Sequence, residues 1–273
     1  MIEPLFTLTT AELDVLTTAH HRLLLGPEAP AGMLEGCGED HEQASASLFG
    51  RGLLDADAAL VEDDPASVLV TGILDLRLAA DRTLVLRRFL GVPIADRTKA
   101  HERSSARIVH LVPEAASCLE DVHEAGLHTF SIVDALEDVV RVVTDFLVPA
   151  EAAPVRGCVS DGVRWPPGGR VEDLMTQLQH PTVLAEVCDV TLVEGQPRPG
   201  QEHLVALGPR GCFVATRPGH PPGVSGPGRE EGVSEAVRHQ RPSTAGLHFR
   251  PVGPTWVAQW ATTILRSRGT MTG

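Results

Sequence analysis

The tetrapeptide Ala-Gly-Leu-His occurs twice, at residues 125–128 and again at 245–248. Four shared residues constrain little by themselves. The constraint comes from the order of segments around them: helix, proline, strands, hairpin, the AGLH strand, then an apolar helix, once in each half of the chain. A chain that repeats its order of elements over so long a period reads as a duplicated fold, in which neither half buries its apolar face without the other.

In the first half, Thr9-Thr10-Ala11-Glu12 has the spacing of a capping box. It predicts a helix with Leu13, Leu16, His20 and Leu23 or Leu24 on its periodic face, stopped at Gly26-Pro27. A second helix is predicted from Glu39 to Phe49, ending in "GRGLLD" (Gly50–Asp55), and a third from Ala56 to Asp64 before Pro65. "SVLVTGILDLRL" (Ser67–Leu78) and "RTLVLRRFL" (Arg82–Leu90) are rich in β-branched residues and alternate, so both read as strands. A hairpin of "RIVHLVPE" and "SCLEDV" follows, then "AGLHTFSIV", then a helix with Leu136, Val139, Val140, Val143, Phe146 and Leu147 on one face, closed by Pro149.

The second half runs likewise. A helix spans Arg170 to Pro181, and the strand Val183–Val193 sets Cys188-Asp189-Val190-Thr191-Leu192 against Leu74-Asp75-Leu76-Arg77-Leu78. The hairpin Glu202–Arg217 matches the first one with about one residue of slip, and "AGLHFRPV" leads to a helix holding Trp256, Val257, Trp260 and Ile264. The expected fold is therefore α+β: two similar halves related by a pseudo-two-fold, about residues 1–150 and 151–273, with an antiparallel β-sheet flanked by helices in one compact unit. The connections are too short for the crossovers that parallel strands need. One difference stands out. The second half carries a long insertion, residues 218–244, rich in Gly, Pro, Ser and charge. Its apolar content is too low to offset its ordering entropy, so it reads as a functional loop, a disordered one or both.

A formal charge of −13 argues against a nucleic-acid surface, because a phosphate backbone is repelled and few counterions are released. Met1-Ile2-Glu3-Pro4 lacks the basic and apolar regions of a signal peptide, and no apolar run approaches the ~20 residues needed to span a bilayer. A cytoplasmic protein without membrane insertion is expected. The five cysteines are odd in number and dispersed, without a CxxC, so they read as reduced thiols holding no metal.

Chemistry-bearing motifs are missing. "HEAGLH" (His123–His128) resembles a zincin helix, but its histidines are five apart where the motif needs i and i+4. His128 and His248 are the pair that a pseudo-two-fold would bring together. With Cys212 they are the residues to suspect if zinc were found. There is no GxSxG elbow, no Walker loop around the single Lys99, and "GPGREEG" neither follows a strand nor opens a helix. Asp63-Asp64 and Glu230-Glu231 read as solvated loops. Nothing calls for a catalytic residue or a cofactor.

The "LTTAELDVL" helix, the "GRGLLD" turn, the P-x-x-V-L segment read as a strand, and a meander ending in an apolar helix, all repeated to the C-terminus, together resemble the EspG proteins. These are cytosolic chaperones of ESX (type VII) secretion in actinobacteria. The resemblance implies a quasi-two-fold α+β fold and a non-catalytic role in binding PE–PPE secretion substrates for export. It carries no site residue across. Trp165, in the turn "VRWPPGG", is the residue expected to be exposed as a partner anchor, since tryptophan is enriched at hot spots, whereas Trp256 and Trp260 read as core. Two other classes stay open. One is a winged-helix-like DNA-binding regulator, from the "L-x-x-R-G-L" pattern, opposed by eight acidic residues against Arg51 alone in residues 39–64. The other is a small-molecule-binding domain or an enzyme without a visible motif.

Overall fold

The computed structural model describes residues 2–25, 39–61, 64–90, 104–113, 116–123, 126–149, 161–193, 196–218, 246–253 and 255–266. The chain runs β1 (Phe6–Thr9), α1 (Thr10–Leu25), α2 (Glu39–Gly50), α3 (Pro65–Ala79), β2 (Arg82–Leu90), β3 (Ser104–Leu111), β4 (Ser117–His123), β5 (Leu127–Val133) and α4 (Leu136–Leu147). It continues with β6 (Val163–Trp165), α5 (Val171–Gln177), β7 (Val183–Val193), β8 (Gln196–Gly208), β9 (Gly211–Pro218), β10 (Leu247–Val252) and α6 (Trp256–Arg266).

All ten strands form one antiparallel sheet in the order β1-β5-β4-β3-β2-β7-β8-β9-β10-β6. That order is its own mirror about the β2–β7 junction, as a pseudo-two-fold requires. Carried outward from the central pair Leu86↔Val187, the pairing register makes Val109 equivalent to Val205, Phe130 to Phe249, and Leu8 to Trp165.

The two AGLH copies open equivalent strands, β5 and β10, but they sit one residue out of register. His128 falls where Leu247 does. Because side chains alternate along a strand, the slip turns the histidines to opposite faces. His128 joins the Phe130 face, while Leu247 and Phe249 are buried and His248 is exposed. The expected meeting of His128 and His248 across the axis does not occur. Seven strand spacings separate β5 from β10, roughly 34 Å at ~4.8 Å each.

One face of the sheet is covered at its centre by α4 and α6, which pack on each other. Leu84, Leu86, Val183, Val187 and Leu207 are fully buried there against Val143, Leu147, Val257 and Ala261. At ~1.5–3 kcal/mol for each fully buried aliphatic side chain, this is the dominant core. On the other face, α1, α2 and α3 cover the β1 end around Leu16, Leu48, Ile73 and Phe130. The β6 end holds a smaller cluster in which Leu174, Met175 and Leu178, on and just after α5, meet Phe213 and Phe249.

Two sequence expectations fail within the first half. Ser67–Leu78 lies inside a helix, α3, and cannot align with the strand Cys188–Leu192. Its start was legible: Asp64 caps it, its Oδ2 accepting from the N–H groups of Ala66 at 2.8 Å and Ser67 at 3.1 Å, with Pro65 at the first turn. Its apolar residues spread around the whole helix, which hides a helical period. The second failure is Ala56–Asp64, whose described residues form no helix. Asp55 Oδ1 accepts from the N–H groups of Asp57 and Ala59, and Ala58 takes a positive φ, closing a turn bridged by Leu54↔Leu60. In the second half, the Arg170–Pro181 helix is shorter than expected. It ends at Gln177, where Gln179 and His180 turn with φ 56° and 52°. Apart from Pro218, the segment 218–244 lies outside the described residues, as do Cys37 and Cys158.

Candidate protein-docking face

Direct cross-strand partners point to the same side of a sheet. The register therefore lines up one row across eight strands: Phe6, Phe130, Glu120, Ile108, Val85, Cys188, Glu202 and Arg217. Helices α1–α3 lie over its first part. Between α3, which packs on β3 and β4, and the α5 cluster, which reaches Leu184 on β7 and Leu204 on β8, Val85 and Ile108 belong to none of the apolar clusters among the described residues. Val85, Ile108, Leu184, Glu186 and Leu204 there are only half-buried and Arg87 is exposed. Their neighbours on the same strands, facing the other way, are at most 4% exposed: Leu84, Leu86, Val183, Ala185, Val187 and Val205. The alternation is that of a sheet with one face packed and one open.

An ionic cluster occupies this floor. Arg217 Nη2 donates to Glu202 Oε1 and, at 3.2 Å, to Glu186 Oε1. Glu202 is 4% exposed and Arg87 lies directly across from Glu186. Burial pushes the Glu186 carboxyl up, and hydrogen bonding and repulsion from Glu202 push the same way. Arg87 and Arg217 offset part of this, leaving it at about 7. Burial and the same carboxylates raise the neighbouring Cys188 thiol to about 11, so no reactive thiolate sits here at neutral pH.

The other buried cluster is closed. Glu120, 1% exposed, has His110 Nε2 at 3.1 Å, His128 Nδ1 at 2.7 Å and Arg77 Nε at 3.2 Å. Burial pushes its carboxyl up, but the hydrogen bonds from both histidines and the Arg77 charge outweigh this and hold it well below the ordinary carboxylate range. His128 Nε2 also lies 3.0 Å from Thr10 Oγ1, giving an acid–imidazole–hydroxyl chain. Thr10 gives its one hydroxyl hydrogen to the Gly126 carbonyl at 3.1 Å, so the chain ties α1 to the start of β5 and does not activate a nucleophile. Sequence reasoning expected no metal, named His128 only as a suspect if zinc were found, and missed Glu120, whose partners come from α3, β3 and β5. Among the described residues no three His, Cys, Asp or Glu side chains group as metal ligands, and His128, His248 and Cys212 do not meet.

No protein-family model matches the chain, and no curated protein sequence matches it. Among solved structures there is a match over 95% of both chains, with a TM-score of 0.53 and 11% identity. It is the Mycobacterium tuberculosis type VII secretion system chaperone EspG5, in complex with a PE25–PPE41 dimer. The fold is similar to that of EspG5. At this identity the likeness is one of architecture.

Against that architecture, Trp165 takes an unexpected position. It lies on the edge strand β6 and is half-buried, packed on the β6-end cluster, where exposure had been expected. Trp256 and Trp260 pack against the main core, stacked at 6.0 Å, and Trp260 Nε1 donates to His203 Nε2 at 3.1 Å. Arg51, the lone cation of residues 39–64, pairs with Glu12 at 3.3 Å, so that stretch offers phosphate no free charge among its described residues. No described helix is long and apolar enough to cross a membrane.

Proposed function

We propose that this chain is a non-catalytic cytoplasmic chaperone or adaptor of the EspG kind, which binds a PE–PPE-like secretion substrate without a cofactor. The observation that carries the reading is the part-exposed centre of a sheet, where Val85 and Ile108 lie beside the Glu186–Glu202–Arg217 cluster and the opposite face is packed. A specific interface typically buries roughly 1,200–2,000 Å², and this floor offers a contiguous start for one. The halves, taken as 1–150 and 151–273, flank it with α3 on one side and the α5 cluster on the other. Trp165 is proposed as an edge contact of that interface.

The test is pairwise co-expression of this chain with the PE–PPE pairs of its source genome, read by gel filtration. A stable ternary complex supports the reading, and Trp165→Ala weakens it several-fold. Failure of every pair to associate, or turnover of a small molecule by the purified chain alone, overturns it.

A further inference from the structure

We propose that the hydrogen bond between Trp260 and His203 is a proton-released latch: one proton taken up at His203 Nε2 frees the first turns of α6 from the sheet. The inference is independent of the partner-binding reading above. It concerns how the chain holds its own helix.

The argument starts from the hydrogens. An indole Nε1 carries a hydrogen and offers no lone pair, so it can only donate. Trp260 Nε1 lies 3.1 Å from His203 Nε2, which must therefore be bare. A neutral imidazole keeps one hydrogen, so that hydrogen sits on Nδ1 and is donated to Thr216 Oγ1 at 3.0 Å. Both ring nitrogens are thus engaged in a side chain that is only 6% exposed. A second proton has only Nε2 to occupy, and there it points at the Trp260 hydrogen. The proton comes from solvent, the one hydrogen bond is lost, and no covalent bond other than the new N–H changes.

The surroundings do not rescue the charged ring. Facing it are Asp189 from β7, Glu202 beside it on β8, Thr216 from β9, Arg250 from β10, and Trp256 and Trp260 from α6. Arg82 already holds both Asp189 oxygens, at 2.7 and 2.5 Å, and Arg217 donates to Glu202. Arg250 lies over the Trp256 ring at 5.9 Å and repels a further cation. Burial lowers the basicity of His203 most and Arg250 adds to it, while Asp189 and Glu202 offset part. The folded chain therefore binds this proton less tightly than the unfolded one. The stability it contributes is present above the ordinary histidine value of 6.5 and is lost as pH falls below it, towards the folded-state value.

The latch is confined to one end of one helix. Further along α6, Arg82 Nη1 donates to the Ile264 carbonyl, a contact that stays charged at every pH of interest. On α4 the corresponding contacts are both cationic, Arg107 to the Val142 carbonyl and Arg88 to the Phe146 carbonyl. Acid should loosen the start of α6 and leave α4 in place.

The experiment follows amide hydrogen exchange by NMR in the full chain between pH 7.5 and pH 5, corrected for the intrinsic effect of pH on exchange. Protection of the amides from Gln259 to Thr263 should fall by up to about tenfold per pH unit below 6.5, the slope of a single proton. The α4 amides should hold theirs. His203→Gln, whose carbonyl can accept from Trp260 and whose amide can donate to Thr216, should remove the slope. Trp260→Phe, which keeps a ring and deletes the donor, should lower protection of α6 already at pH 7.5. Ring nitrogen spectra of the parent chain, which need no variant to fold, should show the His203 hydrogen on Nδ1 at pH 7.5. A hydrogen on Nε2 overturns the inference. So does an equal acid loss in α4 and α6, an acid slope that persists in His203→Gln, or unchanged protection in Trp260→Phe.

Discussion

Arg107 and His203 occupy equivalent places in the two halves, and each faces the residue equivalent to the other's partner: Asp121 for Arg107, Thr216 for His203. In the first half the pair is ionic. Arg107 grips both Asp121 oxygens at 2.6 and 2.8 Å, donates to the Val142 carbonyl and lies over the Phe146 ring. In the second half the pair is neutral. His203 lies 3.0 Å from Thr216 Oγ1 and accepts from Trp260, and burial lowers its basicity. The same backbone site thus anchors α4 with charge and α6 with an aromatic hydrogen bond. The two sides of the sheet share their geometry and differ in their polar chemistry at this site.

On the opposite face two carboxylates also differ in their surroundings. Glu120 is sealed beneath α3, hydrogen-bonded to His110 and His128 and ion-paired with Arg77. Glu186 is half-buried and shares Arg217 with a second carboxylate, Glu202. The largest test of this contrast is Glu120→Ala. Removing one partner from a buried ionic cluster leaves Arg77 and two histidines uncompensated, and the loss should be roughly 3–5 kcal/mol by urea denaturation at pH 7. The sign with pH follows from the lowered carboxyl. Its stabilisation is present above the ordinary value of 4.5 and is lost as pH falls through the folded-state value. Glu120→Gln should therefore show its deficit at pH 7 and a narrowing one in acid. A deficit that stays constant or grows in acid would contradict the assignment.

Glu186 should behave oppositely. Its folded-state carboxyl is raised, so the folded chain binds the proton more tightly than the unfolded one. Stability contributed by this group is present below 4.5 and lost as pH rises to about 7. Glu186→Gln should be stabilising at pH 8 relative to its effect at pH 4, by on the order of 1–3 kcal/mol. A variant that melts lower than the parent at pH 8 and at the same temperature at pH 4 would place Glu186 with Glu120, as a satisfied structural group.

Much of this arrangement was legible in the sequence where the signal is local. Thr9–Glu12 forms both hydrogen bonds of a capping box, Thr9 N–H to Glu12 Oε2 at 2.8 Å and Glu12 N–H to Thr9 Oγ1 at 3.1 Å. The strands β2, β7 and β10 fall where alternation put them. α3 was lost because Val68, Leu76 and Leu78 break its apolar stripe, although Asp64-Pro65 marked its start. The AGLH repeat located equivalent strands and misled at the level of residues, since a one-residue slip leaves a string match intact and reverses every side chain. Glu120 and Glu186 were invisible for a further reason. Their partners come from other strands and from α3, joined only by the register of the sheet.

The smallest predicted effects concern the helices that follow the two edge strands. By the register, Leu8 before α1 is equivalent to Trp165 before α5. α1 begins with a reciprocal cap, whereas Arg170, at the N-cap of α5, makes no side-chain cap hydrogen bond and only an exposed contact to Glu172 at 3.6 Å. Thr9→Ala should cost about 1 kcal/mol. Arg170→Ser should gain a few tenths to about 1 kcal/mol, because a serine oxygen can accept from the N–H of Asp173 and one fewer cation stands against the positive end of the helix. Both shifts are read as changes in melting temperature at constant pH. The paired result decides whether α5 is the weaker helix for lack of a cap. If Arg170→Ser leaves stability unchanged while Thr9→Ala lowers it, the difference between the two helices lies in their packing, with α1 buried along Leu13, Leu16 and Ala19 and α5 only at Leu174 and Met175.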